Sequence, residues 1–144
     1  MGHKKLPRIC IPKGKRKQLP NIKQEVEAIE TKNFRWRILP DYLEFSNSSF
    51  GWDKLTSDKI LKVIIPRLHD FETLTWGEAQ KRKHFHPWKV SDLDNPLKTL
   101  AKNKGYDRLY QIDIEKACRI YGIKNGDIFF CVWYDPTHKG KKMS

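Results

Sequence analysis

The fold is decided by residues 117–142, which read ACRIYGIKNGDIFFCVWYDPTHKGKK, because two β-rich runs there flank Asn125-Gly126. Asn-Gly between alternating apolar residues is a strong short-range signal for a β-hairpin, since both turn residues must adopt positive φ. A two-residue turn also fixes the register of the strands. We therefore predict a hairpin in which Lys124 lies opposite Asp127.

Successive side chains point to opposite faces of a strand, so the predicted hairpin has two different faces. The apolar face, which we expect to lie against the core, comprises Cys118, Ile120, Phe129, Cys131 and Trp133. The other face comprises Arg119, Tyr121, Phe130, Val132 and Tyr134, with His138 just beyond. If helices cover only the first face, the second is left open, and its cation, phenols and imidazole could handle a phosphodiester.

The remainder of the chain supplies further strands and the helices. Alternating apolar residues predict strands over 34–38 and 110–114. Helical spacing or capping residues predict helices over 60–71, 75–83 and 95–105. We therefore expect an α+β domain, with an antiparallel sheet of about four strands and helices packed on one face.

The net charge of +12 over 144 residues is concentrated at the two ends of the chain. Residues 1–24 hold eight Lys/Arg residues and no acid, and residues 139–144 hold three lysines, which leaves residues 25–138 close to neutral. We predict a basic flexible arm (1–24), a single α+β domain (25–138) and a basic tail (139–144).

Basic arms of this kind are typical of proteins that hold nucleic acid through its phosphates, although they can also bind an acidic protein or only maintain solubility. The residues predicted to contact nucleic acid are Lys4, Lys5, Arg8, Lys13, Lys15, Arg16, Lys17, Tyr121, Lys139, Lys141 and Lys142.

Several classes of protein and site do not fit the sequence. The lack of a long apolar run argues against a transmembrane helix and a membrane partner, and the N-terminus lacks the apolar region of a secretory signal. Three cysteines with no pairing pattern indicate a reducing compartment, so we expect a cytoplasmic protein. His84 and His86 would point the same way from a strand, but no third ligand lies nearby in sequence. We predict no metal and no cofactor.

Arg119 in the CRIYGI strand, with Tyr134 and His138 in the YDPTHK ending, resembles the C-terminal part of the RelE/YoeB/HigB group of bacterial mRNA-cleaving toxins. The resemblance covers about the last third of the chain. It implies a metal-independent endoribonuclease of toxin type with RNA or the ribosome as partner, and a small acidic antitoxin-like protein as a further partner. The whole chain is also similar to small bacterial proteins with a tryptophan-aspartate-proline-x-histidine-like ending, a likeness that implies no activity.

In such an enzyme each of the three residues would have a distinct role. Arg119 would hold phosphate oxygens, His138 would donate or accept a proton, and Tyr134 would position the scissile phosphate or stack on a base.

Two alternatives remain open, since the near-neutral body and the N-terminal arm depart from the toxin pattern. In the first, the protein is a non-catalytic nucleic-acid-binding module whose arms hold phosphates while Trp36, Tyr121 or Phe130 stack on bases. In the second, it docks on another protein through the helices or the HFHPW segment (84–88). Solvent exposure of Phe85 and Trp88 would favour docking, and burial would make them core residues.

Overall fold

The computed structural model describes residues 29–137, and these residues contain a five-stranded mixed sheet. The strands are β1 (Arg35–Arg37), β2 (Phe85–Lys89), β3 (Arg108–Asp113), β4 (Arg119–Asn125) and β5 (Ile128–Asp135). Their order is β1-β5-β4-β3-β2, and β1 runs parallel to β5 while the other neighbours are antiparallel. The α+β class is confirmed. The prediction of an antiparallel sheet of about four strands is wrong, because β5 lies parallel to β1 and β2 adds a fifth strand beside β3.

Apart from the helical residues Ile29 and Glu30, the helices of the described part of the chain lie between β1 and β3 in sequence. They are α1 (Ser57–Lys59), a π-helical segment (Ile60–Ile64) that leads into α2 (Ile65–Glu72), α3 (Trp76–Gln80) and α4 (Leu97–Asn103). The π-helical segment ends next to Pro66, which has no N–H to bond the carbonyl four residues back. The predicted capping box is confirmed: the Glu78 amide donates to Thr75 Oγ1, and the Glu78 carboxylate accepts from the Thr75 amide.

The sheet carries an apolar cluster on each face. The first cluster lies against α2 and α3 and includes Phe34, Trp76 and Phe129. The second lies under α4 and includes Tyr121 and Trp133. The prediction of helices on one face only is therefore wrong, because α4 and the loop around Phe50 cover the face that we expected to be open.

The hairpin between β4 and β5 forms, but its turn lies one residue later than predicted. Asn125 pairs with Ile128, so the turn residues are Gly126 and Asp127. Gly126 has φ +64° and is the first central residue of the turn, a position that glycine accepts without steric cost. Lys124 consequently pairs with Phe129, and the predicted pairing with Asp127 is wrong.

A β-bulge near the middle of the hairpin then exchanges the faces of the last residues of β5. Gly122 pairs with Cys131 while Tyr121 pairs with Trp133, which leaves Val132 as an extra residue. Trp133 therefore lies in the second cluster and Tyr134 in the first, the reverse of the prediction.

Candidate nucleic-acid interface

Arg119, the residue expected from the sequence to bind phosphate, is buried. Its side chain is only 2% exposed, and its Nε lies 3.7 Å from Asp113 Oδ1. Arg119 also lies opposite Asp135, a carboxylate with no exposed area, in the β4–β5 register. In this position the guanidinium pairs with the partly exposed Asp113 carboxylate and does not itself face solvent.

Tyr134 lies on the opposite face of the sheet from Arg119. It is 4% exposed and belongs to the first cluster, where its hydroxyl donates to Cys118 Sγ at 3.4 Å. The expected grouping of Arg119 with Tyr134 on one open face is therefore wrong, because the bulge places their side chains on different faces. His138, the third member of the predicted catalytic group, lies outside the described residues.

Tyr121, predicted to contact nucleic acid, is fully buried in the second cluster. Burial raises its pKa well above the ordinary value of a phenol, although the neighbouring Arg119 acts in the opposite direction. The other predicted contacts with nucleic acid also lie outside the described residues: Lys4, Lys5, Arg8, Lys13, Lys15, Arg16, Lys17, Lys139, Lys141 and Lys142.

Polar side chains gather at the start of the edge strand β2 around the Asp113 carboxylate. His86 Nε2 lies 3.2 Å and His84 Nδ1 3.8 Å from Asp113 Oδ2, so both imidazoles share one oxygen. The Gln111 amide donates to the other oxygen, and Gln111 Oε1 accepts from Trp88 Nε1 at 2.7 Å. No side chain close to His84 and His86 in the sequence indicated what these histidines contact. The β2–β3 pairing brings the Asp113 carboxylate beside them, since Asp113 lies across from His84.

A cleft of about 330 Å³ lies at this end of the sheet, and we call it the Arg67 cleft. Its lining residues come from α2, the turn after it and the loop before β2: Arg67, Asp70, Phe71, Thr73, Leu74, Arg82 and His84. Arg67 Nη2 donates to the carbonyl of Ile114 at 3.2 Å, which restricts the guanidinium. A second hollow, of about 310 Å³, shares Arg67 and His84 with this cleft and adds residues 113–116.

The acidic side chains of that second hollow are already engaged by cations. Asp113 is paired with Arg119, and Glu115 with Lys59. The hydrogen bond with Glu115 raises the pKa of Lys59, so this lysine stays charged at neutral pH. In the adjoining Arg67 cleft, Asp70 provides the one carboxylate of the lining, against the two guanidinium groups of Arg67 and Arg82.

A second basic concavity lies at the opposite end of the β2–β3 pair, and we call it the Lys89 cleft. Lys89 and Arg108 are register partners there, and Lys102 joins them from the end of α4. Of the charged residues that line this space of about 590 Å³, three are cations and one, Asp107, is an acid. Tyr106 forms part of the wall and its ring meets Trp133 edge to face, with centroids 6.1 Å apart.

Two aromatic rings lie on β2 between the two clefts. His86 and Trp88 alternate onto the same face of the strand, and their ring centroids are 6.3 Å apart with an angle of 31° between the planes. Both residues are half-buried, so part of each ring remains accessible. The strand therefore carries two neighbouring, partly exposed rings, and a cleft lined by cations lies near each of its ends.

The aromatic residues proposed for protein docking divide between core and surface. Phe85 is 2% exposed and packs in the first cluster, so it is a core residue. Trp88 is half-buried. Of the side chains expected to stack on bases, Phe130 is buried and stacks on Tyr42 at 4.4 Å, and Trp36 packs against the first cluster.

Sequence reasoning missed Lys89, Lys102 and Arg108 as possible ligand-binding residues. They are separated along the chain and are brought together only by the β2–β3 register and the position of α4. The sequence offered two local signs of these residues: Lys89 directly follows Trp88 in a strand, and Arg108 stands at the start of the next strand.

Comparison of the chain with protein-family models, with curated proteins and with solved structures gives no match. Among residues 29–137, no helix has both the length and the apolar character needed to cross a membrane. In the same part of the chain, no group of three or more His, Cys, Asp or Glu side chains is arranged to hold a metal ion.

Proposed function

We propose that this protein binds single-stranded RNA along β2. The observation that carries the proposal is the arrangement on that strand, where the His86 and Trp88 rings lie between the Arg67 cleft and the Lys89 cleft. Proteins that bind single strands combine a positively charged groove, which follows the backbone, with aromatic rings on which bases stack. The basic residues at both ends of the chain add attraction for phosphates.

The Lys89 cleft supplies the phosphate contacts of the proposed interface. Lys89, Lys102 and Arg108 offer charged donors around one concavity, and guanidinium and ammonium groups suit phosphate oxygens. Single-stranded RNA fits this geometry better than a duplex, because only a strand with unpaired bases can stack on half-buried rings. A ribosome or a messenger RNA would both present such strands, and a small acidic protein would compete for the same cations.

The proposal is tested by fluorescence anisotropy with a labelled unstructured RNA of about 12 nucleotides, within the range of known single-strand binding sites. Lys89→Gln combined with Arg108→Gln should reduce the slope of log affinity against log salt by about 0.7 for each phosphate that the variant no longer neutralises. Lys62→Gln is the matched control, because that lysine is 76% exposed on the π-helical segment, outside both clefts. Equal salt slopes for the double variant and the control would refute the Lys89 cleft as a phosphate site.

Trp88 tests the stacking part of the interface. Trp88→Ala should weaken RNA binding by about 1–3 kcal/mol, the usual contribution of one base–aromatic stack. Trp88→Phe keeps an aromatic face but removes the N–H that bonds Gln111. RNA binding near the wild-type value in Trp88→Phe, with weaker binding in Trp88→Ala, would separate stacking from this hydrogen bond. A duplex bound as tightly as the single strand would contradict the proposal.

A second candidate function, metal-independent cleavage of the bound RNA, is favoured by one observation. Asp113 holds two imidazoles, His84 and His86, beside the cations of the Arg67 cleft, and attack by a 2′-hydroxyl needs a base, an acid and nearby positive charge. Arg119 and Tyr134 have no part in this version, since both are buried. Gel analysis of the RNA after incubation with EDTA tests it: intact RNA means binding only. Cleavage should disappear in His86→Ala and persist in His69→Ala, which alters an exposed histidine paired with Glu72 on α2.

A further inference from the structure

The Arg67 cleft has the chemistry of a site for a phosphate monoester. Two guanidinium groups and an imidazole line it, from Arg67, Arg82 and His84. A phosphate monoester carries about −1.5 to −2 charges near neutral pH, more than the single charge of a phosphodiester, so it gains more from converging cations. Arginine presents several donors in a rigid fork that matches phosphate oxygens.

Two of these three groups, those of Arg67 and His84, are also held in position. Arg67 is tied to the Ile114 carbonyl at 3.2 Å, and His84 Nδ1 faces the Asp113 carboxylate. Preorganised donors lose less conformational entropy when a ligand binds than mobile surface side chains do. This distinguishes the Arg67 cleft from a set of solvated lysines.

The rest of the lining suits a nucleoside attached to that phosphate. Phe71 and Leu74 provide apolar wall, and Asp70 offers a carboxylate that can accept a hydrogen bond from a ribose hydroxyl. The volume of about 330 Å³ lies at the small end of the range for ligand pockets. A single nucleotide is a ligand of this chemistry, with anionic, hydroxyl and apolar parts.

We infer that the Arg67 cleft binds a nucleoside 5′-monophosphate, either free or as the 5′-terminal nucleotide of an RNA strand. Because the cleft lies at the start of β2, a strand bound along β2 would have its phosphorylated end here. The version with an RNA end rests on the proposed function, whereas the version with a free nucleotide does not require it.

The test uses the full-length protein and five probes: adenosine 5′-monophosphate, adenosine, inorganic phosphate, and one RNA sequence in two forms, with a 5′-phosphate and with a 5′-hydroxyl. Calorimetry should show the monophosphate binding at least about tenfold more tightly than adenosine, as expected for charge-assisted hydrogen bonds. Inorganic phosphate should compete with the monophosphate. The 5′-phosphorylated RNA should bind more tightly than the 5′-hydroxyl RNA if the site takes strand ends, and equally if it takes only free nucleotides.

Variants locate the site and guard against loss of folding. Arg82→Gln changes an exposed residue and should weaken binding of the monophosphate about tenfold or more, while its melting temperature stays that of the wild type. Arg67→Gln should also weaken binding of the monophosphate, but it removes the hydrogen bond to the Ile114 carbonyl as well. Arg82→Gln is therefore the deciding variant. His69→Asn, outside the cleft on the same helix, should leave monophosphate binding unchanged.

The outcomes separate this inference from the proposed function. Equal affinity for adenosine and its monophosphate, or unchanged binding in Arg82→Gln, overturns the inference even if RNA still binds through the Lys89 cleft. Binding of the monophosphate without any binding of RNA supports the inference and overturns the proposed function.

Discussion

Replacement of Arg119 by alanine should destabilise the fold strongly, because its large side chain is buried and its guanidinium pairs with the Asp113 carboxylate. Its side chain is 2% exposed, its Nε lies 3.7 Å from Asp113, and Asp135 lies opposite it with no exposed area. Removing one member of a buried ion pair typically costs about 3–5 kcal/mol, and alanine also leaves unfilled the space of one of the largest buried side chains. For a domain of this size, that decrease corresponds to a fall in melting temperature of roughly 12–20 °C.

The matched control is Arg35→Ala, since Arg35 is also a strand arginine in an ion pair, but at the surface. Its Nη1 lies 3.5 Å from Asp127 Oδ2, and its side chain is 48% exposed. Exposed pairs of this kind contribute about 0–1 kcal/mol. Urea denaturation followed by circular dichroism gives the free energy of unfolding of both variants. If Arg119→Ala were as stable as Arg35→Ala and no longer bound or cleaved RNA, the structural role of Arg119 would be wrong and its phosphate-binding role would regain support.

Two further predictions concern the hairpin. Gly122→Ala should lower the free energy of unfolding by about 1–3 kcal/mol or more in urea denaturation, because a Cβ there would overlap the carbonyl oxygen of Phe130. A loss no larger than that of Gly77→Ala, where the nearest atom is at 3.3 Å, would contradict the close approach. The pKa of Tyr121 is raised by burial, so above about pH 10 the unfolded phenol loses its proton while the folded one keeps it, and stability should fall as pH rises. Tyr121→Phe should therefore lose less stability than the wild type at alkaline pH. The same pH dependence of the melting temperature in both proteins would contradict a raised pKa of Tyr121.

Local signals in the sequence predicted the parts of the fold that depend on neighbouring residues. The capping box at Thr75 and the existence of a hairpin follow from short-range hydrogen bonds and turn chemistry, and both are present. The bulge at Val132 could not be predicted in the same way. It lies beside Gly122, which approaches the backbone of Phe130 closely, and alternation along β5 gives no sign of it.

The error in the predicted site follows from that single extra residue. An uninterrupted strand would place Tyr134 with Arg119, whereas the bulge separates them onto two faces. The sequence also did not predict that α4 and Phe50 cover the second face of the sheet, because they pack there through tertiary contacts between distant segments. The surfaces now proposed for ligands depend on the β2–β3 register, which joins His84 to Asp113 and Lys89 to Arg108.

The position of β5 has a consequence for synthesis of the protein. This strand is the last of the described residues to enter the sheet, yet it lies between β1 and β4. During translation, which adds about 5–20 residues per second, β1 has no neighbour in the sheet until residues 128–135 emerge from the ribosome. Phe34, whose ring contacts that of Phe129 in the first cluster, therefore lacks this partner until late in synthesis. Nascent chains that stop before this strand should be poorly folded and targets for chaperones.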